Sequence, residues 1–409
     1  MTRQTAIATA LSALLLASTL ASAPAFAQKR YGPGATDSEI KIGQTMPYSG
    51  PASAYGVIGK AESALFAKVN EEGGINGRKI KLISLDDGYS PPRTVEQIRR
   101  LVEEEQVLFI YQSLGTPPNT AIQKYLNARK VPQVFVATGA TKWGDPQHFP
   151  WTMGWQPNYQ TESRTYAAYL LKQHPNAKIG ILFQNDDYGK DYVKGFKDGL
   201  GDKAASMIVA EVSYEVTDPT VDSQIVTLQS SGADTFFNVT TPKFAAQAIR
   251  KAYDTGWRPL HILNQVSASI ASVLQPAGLD KSTGLISAVY LKDSSDPEWK
   301  NDRATQAFFA WTKKYLPDAD PTDVFVAYGY ANAHTLVQTL KQCGDELTRE
   351  NVMRQAASLK NLEVPMLLPG IQINTSATDF YPIEQLQLQR FDGKKWMRFG
   401  ELIDASHRR

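Results

Sequence analysis

Short apolar runs alternate along the chain with longer stretches in which apolar residues recur every three or four positions. "EIKIGQTM" reads as a strand that ends in the turn "PYSG". Ala61, Leu65, Phe66 and Val69 then share one helical face, and Gly73-Gly74 stops that helix. "RKIKLISLDD" predicts a second strand, and "PPRTVEQIRRLVEEE" a helix entered through proline. "QVLFIY" predicts a third strand, "PNTAIQKYLNAR" a helix and "VPQVFVATG" a fourth strand. Such alternation predicts a parallel sheet with helices on both faces.

The pattern breaks at "TKWGDPQHFPWTMGWQPNYQ", dense in Trp, Pro and Gly, and then restarts. Strands are predicted at "KIGILFQ", "SMIVAEVSY", "TFFNVT" and "LHILNQ", with helices at "YGKDYVKGFKDGLG", "VDSQIVTLQSSG" and "KFAAQAIRKAYDTG" between them. The fold class is therefore α/β: two doubly wound lobes, the aromatic stretch being the first crossing. "LISAVYLKD" leads into two helices, "ATQAFFAWTKKYL" and "VFVAYGYANAHTLVQTLKQCG", which return to the first lobe. The tail ends in a hairpin around Asp392-Gly393. The expected lobes are 38–157 plus 290–369 and 158–289 plus 370–405. Interleaving of this kind suits a hinge.

Composition changes the picture little. The chain has 409 residues, 42% hydrophobic and 21% charged, which fits two ordinary folded domains. A formal net charge of +2 with no basic block argues against a nucleic-acid partner. The N-terminus matters more. Arg3, the apolar run Ala6 to Leu20 and the small-x-small Ala25-Phe26-Ala27 form a cleavable export signal over residues 1–27. No cysteine stands at the cut for lipid attachment, and no later run approaches ~20 apolar residues, so the exported chain is not expected to span a membrane. Cys343 is the only cysteine and is expected to be buried and unpaired.

Enzymatic motifs are thin. The phosphate-loop pattern, G-x-G-x-x-G after a strand and the G-x-S-x-G elbow are all missing. His148, His174, His261, His334 and His407 lie far apart, without metal-binding spacing. No catalytic residue, metal or cofactor is predicted. Asp86-Asp87 and Asp186-Asp187 read as turn and helix caps. A binding function remains, on the loops that follow strand ends in open α/β sheets. Five such loops carry hydroxyl, aromatic or small residues: "PYSGPASAYG", "QSLGTPPNT", "ATGATKW", "NDDYGKDY" and "NVTTPK", the last contributing Thr240. Ser113 Oγ, the N–H groups near Gly115 and Thr116, and Thr141 Oγ are placed to converge on one carboxylate. Simple N-capping is the competing account of Ser113, Thr116 and Thr120.

The segments "MPYSGPASAYG", "NEEGGINGRKIKLISLDDGYSP", "SLGTPPNTA", "VATGAT", "NDDYGKDY" and "SSGADTFF" together resemble the solute-binding subunits of branched-chain amino-acid-type ABC importers over nearly the whole mature chain. The resemblance implies a type I periplasmic binding fold with three crossover segments and a ligand enclosed by hinge closure. It also implies a periplasmic location, no catalysis, and as partners an inner-membrane permease with cytoplasmic ATPases; a monomer is expected. By the same resemblance Ser113, Gly139, Ala140 and Thr141 hold a carboxylate, while Tyr55 and Tyr188 line the cleft. Relatives hold an α-ammonium with an acidic residue just past the strand "LHILNQ". Here Gln265 and Val266 fall at that place, and no Asp or Glu lies between Asp254 and Asp280. A buried ammonium without a counter-charge is costly. With Trp143, Trp151, Trp155 and Phe244 as further candidate aromatics, the expected ligand is an aromatic or phenylpropanoid carboxylate. A branched-chain amino acid is the alternative ligand, and presentation to a receptor kinase the alternative role.

Overall fold

The computed structural model describes residues 29–404, so the expected export signal and residue 405 of the second predicted lobe lie outside the described residues. After β1 (Arg30–Tyr31), strands β2 (Glu39–Met46), β3 (Lys79–Asp86), β4 (Ile110–Tyr111), β5 (Gln133–Val136) and β6 (Thr152–Gly154) build the first lobe's sheet. Its order is β3-β2-β4-β5-β6 and every pair is parallel. The second sheet takes β7 (Ile179–Gln184), β8 (Ile208–Tyr214), β9 (Thr235–Val239), β10 (Leu260–Leu263) and β11 (Ile286–Val289), all parallel. β12 (Glu346–Leu347) pairs with β1, while β13 (Gln385–Phe391) and β14 (Trp396–Asp404) form the antiparallel tail hairpin. That hairpin extends the second sheet to the order β14-β13-β11-β10-β9-β7-β8. All five residues of β9, Thr-Phe-Phe-Asn-Val, are buried, as a strand covered by helices on both faces requires.

Two departures from the hydrophobic pattern have local causes. Only Ile110–Tyr111 of the run "QVLFIY" forms a regular strand: Gln106, at a left-handed φ of 52°, turns the chain into it, and Leu108 and Phe109 meet β2 through single backbone bonds to Lys41 (2.8 Å) and Gly43 (3.0 Å). A helix over Tyr159–Gln173 escapes the periodicity because much of its buried face is polar: Thr161, Glu162, Ser163 and Thr165. Asn158 caps it, its side-chain oxygen accepting the N–H groups of Gln160 (2.8 Å) and Thr161 (3.3 Å).

The chain passes between the lobes after β6, after β11 and before β13. The last crossing falls later than the boundary at 370. Ile371, Ile373, Phe380 and Ile383 belong to the first lobe's core rather than the second's. Ile373 exchanges backbone hydrogen bonds with Leu362 (2.9 and 3.1 Å), and the Thr375 hydroxyl donates to the Ala356 carbonyl at 2.7 Å, so this segment is stitched to the helix Arg349–Ala356. No helix among the described residues is long and apolar enough to cross a membrane.

Candidate functional site

A cleft of about 940 Å³, its open mouth included, lies between the lobes. Tyr55, Tyr89 and Leu114–Thr116 line it from the first lobe, and Tyr188, Gln265, Val266 and Trp396 from the second. Gln156, Tyr159, Tyr290 and Asp293 contribute from the crossovers, and Phe325 and Tyr328 from the returning helix Val324–Cys343. Among the described residues the lining contains no Lys, Arg or His, and Asp293 is its single carboxylate. The tyrosines are held in place by partners. Tyr328 accepts from Gln112 Nε2 (3.0 Å) and donates to Gln156 Oε1 (2.8 Å), while Tyr159 meets Tyr188 edge-on with centroids 5.5 Å apart. Burial raises the pKa of Tyr55, Tyr89, Tyr188, Tyr290 and Tyr328 well above the ordinary phenol value, so they act as neutral hydrogen-bonding groups.

The loop after β4 turns on Gly115, whose φ of 99° and contact with the Tyr89 ring leave no room for a Cβ. Ser113, expected to touch the ligand, is not part of the lining. Its Oγ accepts the Thr45 N–H at 3.1 Å, and its carbonyl accepts from the Ala137 N–H (3.0 Å) and Asn119 Nδ2 (2.7 Å). It is a strut for the loop, and Thr116 is the hydroxyl that reaches the cleft. The helix that Thr116 opens has Pro117 and Pro118 next, so two of its first N–H groups do not exist. Thr138 Oγ1 receives the Trp143 Nε1–H (3.2 Å) and the Ala140 N–H (3.3 Å), which occupy both its lone pairs. Its own proton therefore goes to Thr116 Oγ1, 2.5 Å away, leaving the Thr116 proton to be donated into the cleft.

The "TGAT" loop does not meet "SLGT" at the ligand. Gly139 packs so closely on the Tyr159 ring and the Pro157 carbonyl that a Cβ has no space. Ala140 is buried in the second lobe's core. Thr141 donates both its N–H (2.8 Å) and its hydroxyl (2.9 Å) to Asp191 Oδ2, and its carbonyl accepts from the Tyr381 hydroxyl at 2.6 Å. None of the three lines the cleft; Thr141 fastens the first crossover to the helix Asp187–Leu200. Thr240 is likewise internal, its hydroxyl donating to Asn238 Oδ1 at 2.6 Å, and its neighbour Thr241 lines the cleft instead.

Tyr55, Tyr188 and Gln265 stand in the lining. The Tyr188 hydroxyl donates to the Asn264 amide oxygen (2.5 Å), in the orientation that lets the Asn264 nitrogen donate to the Asn238 and Thr240 carbonyls at 3.1 and 3.2 Å. Gln265 Nε2 is buried without a partner, a donor free for a ligand. Behind Gln265 lies an acid that local sequence did not reveal. Glu162 accepts the Gln265 N–H (2.8 Å) and the hydroxyls of Tyr166 and Tyr192 (2.7 Å each). Complete burial pushes its pKa up to about 7, these hydrogen bonds partly opposing the shift. Trp143, Trp151, Trp155 and Phe244 do not line the cleft. Trp155 packs one layer behind it, against Tyr290 and Tyr328.

Other residues with chemical potential are occupied structurally. Asp186 caps its helix by accepting from Tyr188 N–H (2.9 Å) and Gly189 N–H (3.2 Å), and Asp87 accepts from Tyr89 N–H (2.9 Å) and the Thr94 hydroxyl (2.8 Å). Cys343 is buried and free, its thiol pushed up to about 12.

A model of the periplasmic binding protein family matches residues 39–395. The "Leu/Ile/Val-binding protein homolog 7" of Brucella abortus (strain 2308) is 22% identical over 267 residues, which span 63% of this chain and 66% of that protein. Among solved structures, a branched-chain amino acid ABC transporter protein from Thermus thermophilus with bound valine superposes with a TM-score of 0.81. It is 15% identical and covers 91% of this chain and 98% of its own. A fatty acid ABC transporter substrate-binding protein from Thermomonospora curvata gives 0.77 at 22% identity, covering 92% and 95%.

Proposed function

The chain belongs to the periplasmic binding protein family, and from that membership we propose that it is the exported substrate-binding subunit of an ABC importer. In this reading the lobes close over a small organic acid with an aromatic or phenylpropanoid body. The closed form then engages permease subunits in the inner membrane, whose cytoplasmic ATPases drive uptake. The protein works as a monomer, in the periplasm, without cofactor or catalysis.

The cleft lining carries this reading: a cage of tyrosines with Phe325 and Trp396, and few polar groups aimed inward. The Thr116 hydroxyl and Gln265 Nε2 are neutral donors suited to a carboxylate. An α-amino acid is less well served, because the carboxylate nearest Gln265 is Glu162, already accepting three hydrogen bonds.

Thermal melting of residues 28–409 with cinnamate, 4-hydroxycinnamate, benzoate, valine, leucine and octanoate tests the proposal. Binding at a hundredfold excess over Kd stabilises by about 2.7 kcal/mol, a shift of several degrees. The aromatic acids are expected to give that shift and the branched-chain amino acids none. The reverse result would move the ligand to an amino acid.

A further inference from the structure

Asp293 lines the cleft from the crossover that follows β11. One of its oxygens is committed: Oδ1 accepts the Ser295 N–H at 2.9 Å and the Ser295 hydroxyl at 2.6 Å. The other, Oδ2, is buried and has no hydrogen-bond partner. The turn around it is fastened on both sides. The Lys292 N–H donates to the Met366 carbonyl (2.7 Å) and its Nζ pairs with Asp302 (2.8 Å), while Ser294 Oγ donates to the Pro321 carbonyl (2.7 Å). Lys395 pairs with Asp296 at 2.9 Å and does not satisfy Oδ2. Burial raises the Asp293 pKa, as an incompletely hydrogen-bonded carboxyl requires. A fixed, desolvated oxygen without a partner, on a residue that lines the cleft, penalises any occupant that leaves it unpaired.

We infer that Asp293 is a ligand-binding residue: its Oδ2 accepts a hydrogen bond from a donor group of the bound molecule, a hydroxyl or an ammonium, distinct from its acid group. The inference rests on the proposal that the cleft takes an aromatic acid, and it narrows that class to acids bearing a second, donating group. Repulsion turns the ligand carboxylate away from Asp293, and Thr116 and Gln265 are the donors in the lining free to take it.

Calorimetry with two matched pairs tests this. Cinnamate against 4-hydroxycinnamate reads a hydroxyl, and 3-phenylpropanoate against its 4-aminomethyl derivative reads an ammonium remote from the acid group. The wild-type protein is expected to prefer the donor-bearing member of one pair by about tenfold to a hundredfold. Asp293→Asn keeps an acceptor for Ser295 and replaces the free oxygen with an amide NH₂, so the turn survives and the preference should vanish. Equal affinity within both pairs in the wild-type protein overturns the assignment, as does a preference that persists in D293N. The wild-type comparison needs no variant and decides the matter even if D293N melts early. Failure of the wild-type protein to bind any of the four acids removes the aromatic-acid reading itself, and this assignment with it.

Discussion

The Tyr55 hydroxyl, on the first lobe, donates to the backbone carbonyl of Val266, on the second, at 3.0 Å across the cleft. It joins the two lobes directly, and under the hinge closure proposed above it would form on closing and break on opening. Tyr55 is itself steadied against Phe325, with ring centroids 5.0 Å apart.

Tyr55→Phe should therefore shift the balance towards the open form without disturbing either core. One neutral hydrogen bond contributes a net ~0.5–1.5 kcal/mol, so ligand affinity should fall about twofold to tenfold. Small-angle scattering of the unliganded variant should show a larger radius of gyration, and its melting temperature should move little. Unchanged affinity and unchanged dimensions together would show that this bond does not contribute to closure.

The assignment of Thr116 in place of Ser113 separates two neighbouring hydroxyls. Thr116→Val removes the proton that the Thr138 relay leaves free, and should weaken binding of an aromatic acid by about tenfold, as loss of a hydrogen bond to a charged group does. Thr116→Ser should restore it. Ser113→Ala removes an acceptor from the buried Thr45 N–H, so its cost should appear as ~1–3 kcal/mol in denaturant unfolding. If S113A abolished binding and T116V left it intact, the roles given to the two residues would be reversed.

These residues show how far the sequence could be read. Strand–helix alternation is a local signal, and it located the two sheets and the loops at their carboxyl ends. Within a loop the side chain that faces the ligand depends on backbone turns that alternation does not encode. Gly115 at φ 99° and Gln112 at φ 51° rotate the loop so that Thr116 points in and Ser113 points back at β2. Thr141 is claimed by Asp191, fifty residues on, a pairing set only by the packing of the first crossover on the helix Asp187–Leu200. Glu162 was hidden because its helix buries Thr161, Ser163 and Thr165 beside its apolar residues, which blurs the apolar stripe. The tryptophans crowd the first crossover, but large rings there are as well used for packing, and the cage is formed by tyrosines spread over both lobes, the crossovers and the returning helix.

Glu162 gives a pH dependence with a definite sign. A carboxyl whose folded pKa is about 7 against an ordinary 4.5 makes the native state hold an extra proton between those values. Stability therefore falls as pH rises through that window and levels off above it. Glu162→Gln removes this contribution. Urea unfolding of both proteins at pH 4.5 and pH 7.5 should show the wild type losing roughly 1–3 kcal/mol relative to E162Q over the interval. Parallel pH profiles for the two proteins would mean that the carboxylate stays ionised across the range, its three donors outweighing burial.

Trp396 offers an optical test of where the ligand sits. The chain has seven tryptophans, and among the described residues only Trp396 lines the cleft. Its Nε1–H donates to the Ala268 carbonyl at 2.9 Å, which fixes the indole against the wall beside Lys395 and the Asp293–Asp296 turn. Trp396 and Asp293 line the same cleft, so binding of an aromatic acid there should change the tryptophan emission. Trp396→Phe should remove more than half of the change while calorimetric affinity falls by less than about tenfold, because Phe retains most of the apolar contact. Trp155, packed behind Tyr290 and Tyr328 with centroids 6.2 and 5.1 Å away, accounts for the remainder. A full-size signal in W396F would place the bound ring away from Trp396.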